Sequence, residues 1–202
     1  MRLYQKSFVL TCLLIVSILT LTKPAHAEPP ASADSNSPTG VTSKRMAALE
    51  KQMWEMVNRD RVSPTTFAET NGRAKALKWN ENLAAVARAH SRQMVEEHFF
   101  SHVSPEGKTP SMRITAAGIH WMAFGENLAL NQTIADAQAA LMNEPRFQNN
   151  HRANILNPVF TEIGIGIVQA PDGSLYITQD FVALADDSRT TSSLARTRSS
   201  VP

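Results

Sequence analysis

Apolar residues fall into two periods along this chain. Through its first two thirds they recur every three to four positions, and towards the end they alternate. Met46, Leu49, Met53, Met56 and Val57 sit at helical spacing and predict a first amphipathic helix from about Lys44 to Arg61. Ser63-Pro64 and Asn71-Gly72 mark a loop after it. Leu77-Lys78-Trp79 is a short apolar approach to a second helix. Asn80 is placed to cap that helix, with Glu81 in its first turn facing the positive end of the dipole. Leu83, Ala84, Ala87, His90, Ser91 and Met94 then line one face until about Glu97. Ser104-Pro105-Glu106-Gly107 is turn chemistry, and Ser111 to Ala117 reads as a short third helix closed by Gly118. Asn127 to Leu130 is a short strand candidate. Ile134, Ala137, Ala140 and Leu141 give a fourth helix over Thr133 to Asn143, with Pro145 just beyond. The period then changes. Ile163, Ile165 and Val168 form a glycine-interrupted strand, and Pro171-Asp172-Gly173 is a turn. Leu175, Ile177, Gln179 and Phe181 alternate with Tyr176, Thr178 and Asp180 in a second strand. Several helices followed by an antiparallel hairpin predict an α+β fold.

The two ends lie outside this pattern. Arg2 and Lys6 precede an apolar run from Phe8 to Leu21, and Ala25-His26-Ala27 follows as a small-residue cleavage pattern, so residues 1–27 read as a secretory signal peptide. The run, about fourteen residues, is shorter than the ~20 of a comfortable membrane span. A secreted location, periplasmic or extracellular, is the expectation, with no stable membrane span after cleavage. Residues 28–43, rich in Pro, Ser, Ala and Asn, read as a flexible linker, and residues 186–202, rich in Ser, Thr and Arg, as a disordered tail. One domain of ordinary size, residues 44–185, lies between them.

Cleavage changes the charge argument. Residues 1–27 hold Arg2, Lys6 and Lys23 and no acid, so the remaining chain carries 17 basic and 18 acidic side chains, a net charge of −1. No nucleic-acid partner is expected, because that would need a clustered basic surface. The single cysteine, Cys12, lies in the signal, so the mature domain holds itself together by its core without disulfides.

Common catalytic signatures are missing: there is no G-x-S-x-G, no H-E-x-x-H, no phosphate-binding glycine loop and no C-x-x-C. Gly164-Ile165-Gly166 lacks the third glycine and following helix of a nucleotide site and reads as close backbone packing. Ionisable groups in small or apolar surroundings remain: Glu126 in Gly125-Glu126-Asn127-Leu128-Ala129, His151 in His151-Arg152-Ala153-Asn154, and His102 after Phe99-Phe100-Ser101. Such groups need partners or water. His102, His151, Glu126 and Glu144 all sit at element ends, where sites are built. Two imidazoles with one or two carboxylates suit zinc or another divalent metal. By spacing alone, capping, hydrogen bonding or simple solvation is the commoner role of such residues. His98 and His102 have H-x-x-x-H spacing, but Phe99-Phe100 signals the helix end, so His98 reads as solvent-facing or as a partner of the C-terminal dipole. His90, on an apolar helix face, reads as a hydrogen-bonded core residue.

At these residues the chain resembles the CAP superfamily of cysteine-rich secretory, antigen 5 and pathogenesis-related proteins, in its bacterial, cysteine-free SCP-like branch. The resemblance runs from about Met46 to Val182. It includes Leu77-Lys78-Trp79-Asn80, the Leu83 to Ser91 helix face, Phe100-Ser101-His102, Arg113 to Gly118, Gly125 to Ala129, His151 to Leu156, Phe160 to Gly166 and Tyr176 to Phe181. It implies a three-layer α-β-α sandwich with a central antiparallel sheet and an open cleft. It also implies a His-Glu-Glu-His tetrad, on which His102, Glu126, Glu144 and His151 fall, able in some members to hold a divalent metal. Here Glu144 to Asn150 intervene where the common bacterial form runs directly into a Ser-Pro-Gly-His turn, and Asn150 replaces the glycine before the histidine.

Three functions are compatible with these residues. A binding module would hold a divalent metal, a lipid-like ligand or a cell-envelope component in the cleft; the lack of a nucleophile beside a base favours it. A metal-dependent hydrolase acting on peptide, ester or envelope polymer would use zinc on His102, Glu126 and His151, with Glu144 as base. A structural network would join the four side chains by hydrogen bonds, with no ligand.

Overall fold

The computed structural model describes residues 38–185, with side chains from residue 42 onward. The signal-peptide pattern, most of the expected linker and the Ser/Thr/Arg-rich tail lie outside the described residues.

Among the described residues ten elements follow one another: α1 Pro38–Val62, α2 Pro64–Thr70, β1 Lys78–Trp79, α3 Glu81–Glu96, α4 Pro110–Ala116, β2 Trp121–Asn131, α5 Ile134–Met142, α6 His151–Leu156, β3 Glu162–Gln169 and β4 Leu175–Leu184. The sheet order is β1-β3-β4-β2. The β3–β4 hairpin turns through Gly173 at φ 88, and β2 pairs antiparallel with β4 along almost its whole length. The α+β class and the sandwich hold, but the sheet is mixed. The Leu77-Lys78-Trp79 approach supplies a two-residue strand, β1, that pairs parallel with β3.

The two sheet faces carry different layers. Ile163, Ile165, Ile167, Ile177 and Phe181 pack with Met46, Met53 and Val57 of α1, Ala137 and Leu141 of α5, and Ile155 and Leu156 of α6. On the other face Leu83 and Val86 of α3 and Ile114 of α4 meet Val182. Gly164 and Gly166 allow α3 to lie against the strand. A Cβ at Gly166 would stand 2.1 Å from the Arg88 backbone nitrogen, and one at Gly164 2.2 Å from that of Ala84. The close-packing reading of this glycine pair is correct. Ser91 Oγ donates to the Gly166 carbonyl at 2.9 Å and pairs with Thr178 Oγ1 at 2.9 Å, fixing the register of helix on sheet.

Several elements depart from the sequence expectation for local reasons. The first helix begins at Pro38, inside the stretch read as linker, where the fixed φ of proline suits a first turn. Ser63-Pro64 opens α2 as N-cap and first helical residue, and Asn71 at φ 49 with Gly72 at φ 64 closes it, so the loop signals are the two caps of a short helix. Strand β2 starts well before Asn127, at Trp121; its outer half, Trp121 to Phe124, is apolar but exposed or only partly buried. The single turn of α6 is too short to show a period.

Beyond β1 the edge of β3 needs another acceptor. Glu50 of α1 provides it, accepting from the Ile167 N–H at 3.2 Å while Arg88 of α3 clamps both of its oxygens at 3.0 Å. Glu50 is 1% exposed, so this ion pair ties α1 to α3 inside the protein.

Candidate functional site

The four tetrad residues come from four separate places: the loop after α3, strand β2, the loop after α5 and the first turn of α6. His102 enters on a segment held at both ends. His90 of α3 donates from Nε2 to the Ser101 carbonyl at 3.0 Å, and burial lowers the His90 pKa, keeping it neutral. Arg113 of α4 donates from one terminal nitrogen to the carbonyls of His102 at 3.0 Å and Lys108 at 2.9 Å. His90 is 1% exposed and hydrogen-bonded, as expected. His98 is exposed at φ 55 just past the end of α3, so the H-x-x-x-H pair does not share a helix face.

The Gly-Glu-Asn box distributes three tasks along β2. Gly125 lets α6 approach: a Cβ there would be 2.9 Å from the Phe160 ring and 3.1 Å from Asn154 Oδ1. Glu126 projects to the α3–α4 side and Asn127 to the other. Asn127 Nδ2 donates to the His151 carbonyl and to Gln179 Oε1, both at 3.1 Å, and Asn127 Oδ1 accepts from Asn154 Nδ2 at 2.9 Å. Gln179 continues to Gln138, and Gln138 to Asp60, so a buried chain of amides fixes α6 on β2 and α5. Arg61, 1% exposed, donates to the Ile155 carbonyl at 2.6 Å and the Asn157 carbonyl at 3.0 Å and holds the other end of α6; burial lowers its pKa to about 10.

His151 begins α6, capped by Asn150, whose Oδ1 accepts from the Ala153 N–H at 3.0 Å. The intervening segment therefore does not remove Glu144 from the site. It is pinned by Asn150 Nδ2 to the Pro145 carbonyl at 2.9 Å, by the Arg146–Glu69 contact at 3.3 Å, and by Arg152 to Glu69 and the Met142 carbonyl.

The result is two imidazole–carboxylate pairs. His102 Nδ1 lies 2.7 Å from Glu126 Oε1, and His151 Nδ1 lies 2.7 Å from Glu144 Oε1. A carboxylate accepts, so each neutral ring carries its proton on Nδ1 and keeps Nε2 as the bare nitrogen. Each carboxylate's second oxygen is also taken. Arg113 donates to Glu126 Oε2 at 2.6 Å, and the His151 N–H donates to Glu144 Oε2 at 2.8 Å. Burial works against the Glu144 carboxylate, but the bonds from the His151 ring and backbone hold its pKa below the usual value. The imidazoles stack loosely, 6.4 Å between centroids and 29° between planes. With Glu126, Glu144, Asn149, Asn150 and Asn154 they line an open, polar cleft of about 350 Å³.

This donor chemistry fits a divalent transition metal in one respect and differs from the four-ligand expectation in another. A ligating histidine commonly donates its second nitrogen to a carboxylate, as both do here. Glu126 and Glu144 each hold a ring through Oε1, while Oε2 accepts from Arg113 in the first and from the His151 N–H in the second. Among the described residues no group of three or more His, Cys, Asp or Glu side chains is arranged as a metal-ligand cluster.

Sequence reasoning missed two residues of the site. Arg113 stands in the sequence only as the first residue of a motif, yet it organises both the His102 loop and Glu126. Asp180 of β4 is fully buried beside Glu126, and burial, with the Glu126 charge added, pushes its pKa well above the usual carboxylate range. The sequence alternation puts Asp180 with Tyr176 and Thr178 on the face opposite the apolar register, and the strand is covered on that face only in the fold.

Residues 54–181 match the family model described as CAP, Cysteine-rich secretory protein family. The protein YkwD of Bacillus subtilis (strain 168) is 34% identical over 154 residues, which is 76% of this chain and 54% of that protein. The membrane protein YlbC of the same organism is 32% identical over 139 residues, 69% of this chain and 36% of that protein. This chain thus spans about half, or less, of the length of these relatives. Among solved structures, an extracellular protein containing a SCP domain from Bacillus anthracis str. Ames superposes with a TM-score of 0.58 at 24% identity, covering 72% of this chain and 43% of that one. An outer surface protein from Borrelia burgdorferi superposes with a TM-score of 0.54 at 19% identity, covering 71% of this chain and 96% of that one. At these identities the structural likeness concerns the fold alone. Among the described residues no helix is long and apolar enough to cross a membrane.

Proposed function

The chain belongs to the cysteine-rich secretory protein (CAP) family, and from that premise we propose that its cleft is a polar binding site, built on His102 and His151, for a divalent metal such as zinc and a cell-envelope ligand. The observation that carries the reading is the pair of Nδ1–H···carboxylate bonds, which leaves Nε2 of each ring as the available donor atom. His102 and His151 would hold the metal, Glu126 and Glu144 would support the rings, and a bound metal would supply a Lewis-acidic centre for oxygen or nitrogen groups of the ligand. Asn149, Asn150 and Asn154 line the same cleft with amides, which suits a polar ligand. Secretion is part of the proposal and is supported by Arg2, Lys6, the Phe8–Leu21 run and Ala25-His26-Ala27.

Binding is favoured over hydrolysis by the carboxylates themselves. A general base works best with a pKa near the operating pH. Each oxygen of Glu126 and Glu144 already accepts one hydrogen bond, from His102, Arg113 or His151, and such bonds hold the Glu144 pKa below its usual value, which makes it a weak base. Calorimetric titration of zinc into the protein and into His102→Ala/His151→Ala tests the proposal. One site per chain is expected, lost in the variant; equal uptake by both proteins would overturn it.

A second reading keeps the lipid-like ligand but moves it. The histidine cleft is polar, whereas a separate groove of about 380 Å³ between α3 and α4 is lined by Val86, Ala89, Met112 and Ala116, with His90, Gln93, Lys108 and Arg113. Met112 is 55% exposed there. Fatty-acid binding that Ala116→Trp abolishes while His102→Ala spares it would assign the ligand to this groove.

A further inference from the structure

The most exposed large apolar side chain among the described residues is Phe147, at 86%, in the segment that leads from α5 into α6. Its backbone sits at φ 60, a left-handed conformation that bulky side chains rarely adopt. The segment is braced on either side of it. Asn150 Nδ2 donates to the Pro145 carbonyl at 2.9 Å, and Arg146 pairs with Glu69 at 3.3 Å. An aromatic ring is thus held out on a fixed backbone, and core packing does not account for it, since almost all of the ring stays in solvent.

Two hollows adjoin at this segment. On one side is the histidine cleft, lined in part by Asn149 and Asn150. On the other is a pocket of about 270 Å³ lined by Phe147, Gln148 and Asn150 with Leu156 and Pro158. Glu69 and Arg152, also on its wall, pair with each other and balance their charges. The Gln148 and Asn149 side chains form no hydrogen bond with other described residues. In chain order there follow an exposed ring, a free amide in the pocket, a free amide in the cleft, and then the cleft itself.

A sugar matches this order of groups. The C–H face of a pyranose is attracted to the negative face of an aromatic ring. Its hydroxyl rim pairs with carboxamides, which both donate and accept. A lipid surface is the poorer match, because the neighbours of Phe147 are Arg146, Gln148 and Asn149 rather than further apolar residues.

We propose that Phe147 is the stacking platform of a sugar subsite, and that the ligand of the cleft is an uncharged polysaccharide chain lying across Gln148 and Asn149, from the histidines to the Phe147 ring. The subsite rests on the reading of the cleft as an envelope-ligand site and names the class of that ligand; no metal takes part in it.

The test is nuclear magnetic resonance of the protein, with chelator present, as chitotetraose is added; this is the tetramer of N-acetylglucosamine, whose acetamido groups suit the amides. Binding is expected to shift the ring signals of Phe147, His102 and His151 together. Phe147→Ala removes an exposed ring, so it is expected to keep the wild-type melting temperature while weakening binding about tenfold or more, the scale of one aromatic stack. Phe147→Trp should retain binding, and Met122→Ala, which removes another exposed side chain on β2, should leave it unchanged. Equal binding by wild type and Phe147→Ala, shifts at Phe147 without shifts at the histidines, no binding at millimolar tetramer, or Phe147-dependent binding to phosphatidylglycerol vesicles in its place would each overturn the proposal. The chelator keeps these outcomes apart from the metal reading, which the zinc titration decides by itself.

Discussion

The rings of His102 and His151 lie 6.4 Å apart and 29° from parallel, although one arrives on the loop after α3 and the other on the first turn of α6. Neither position is set by the histidine itself. His102 is placed by His90 and Arg113, which hold the carbonyls of Ser101 and His102, and His151 is placed by Asn127 and Arg61, which hold α6 at both ends. The carboxylates then set the rotation of each ring. The pairing is a property of the sheet and of the helices docked on it, so substitutions in that scaffold disturb the cleft.

Arg113→Met leaves Glu126, whose side chain is 2% exposed, as a buried charge without its cation. Breaking a buried pair from one side costs about 3–5 kcal/mol. Urea unfolding at neutral pH should show a loss of that order. A loss below ~1 kcal/mol, the range of an exposed pair, would contradict the burial argument.

Asp180→Asn should change how stability depends on pH. A carboxyl whose folded pKa is raised favours the folded state at low pH, and that contribution is lost as pH rises through the unfolded value near ~3.9 towards the folded one. The wild type carries this loss and the asparagine variant does not. The stability difference should therefore move in favour of Asp180→Asn as the pH is raised above ~4, read from melting temperatures at a series of pH values. A difference independent of pH would contradict a raised Asp180 pKa.

Gly166→Ala should displace α3. The new Cβ would meet backbone at 2.1 Å, which no side-chain rotation relieves. Overpacking of this kind costs ~1–3 kcal/mol or more. Gly173→Ala, where nothing lies within 4 Å but φ is +88, should cost only the backbone strain, of order 1 kcal/mol. Thermal melts of the two variants separate close approach from conformational freedom; equal losses would contradict the packing argument.

Gln179→Leu should cut the amide chain that fixes α6. It leaves Gln138 Oε1 and one of the two Nδ2 hydrogens of Asn127 without partners, in residues at most 2% exposed, at about 1–3 kcal/mol each; the other still donates to the His151 carbonyl. Chemical denaturation should register the loss and His151 ring signals should broaden; an unperturbed His151 would contradict the role given to the network.

The fold was legible where one side of an element is wet. The Leu83 to Met94 face of α3 and the Asn80 cap appear where periodicity places them, and the Pro171-Asp172-Gly173 turn marks the β3–β4 hairpin. It was illegible where the chain is short or doubly covered. The helical turns Pro64–Thr70 and His151–Leu156 give no period, and β4 is buried on both faces, so alternation there does not separate core from surface. The cleft followed the same division. His102, Glu126 and His151 were visible as ionisable groups in small-residue contexts, and Glu144 through family resemblance despite the intervening segment. Arg113 and Asp180 were not, because what marks them is a partner on another element: a guanidinium reaching from α4 to β2, and a carboxyl opposite another across the sheet.

The most direct test of the account follows the ring nitrogens of His102 and His151 by ¹⁵N resonance while zinc is added. Nε2 of both histidines should shift with one zinc per chain while both Nδ1 atoms keep their protons, the carboxylates of Glu126 and Glu144 remaining where the structure has them. Zinc on Nδ1, or displacement of either ring from its carboxylate, would contradict it.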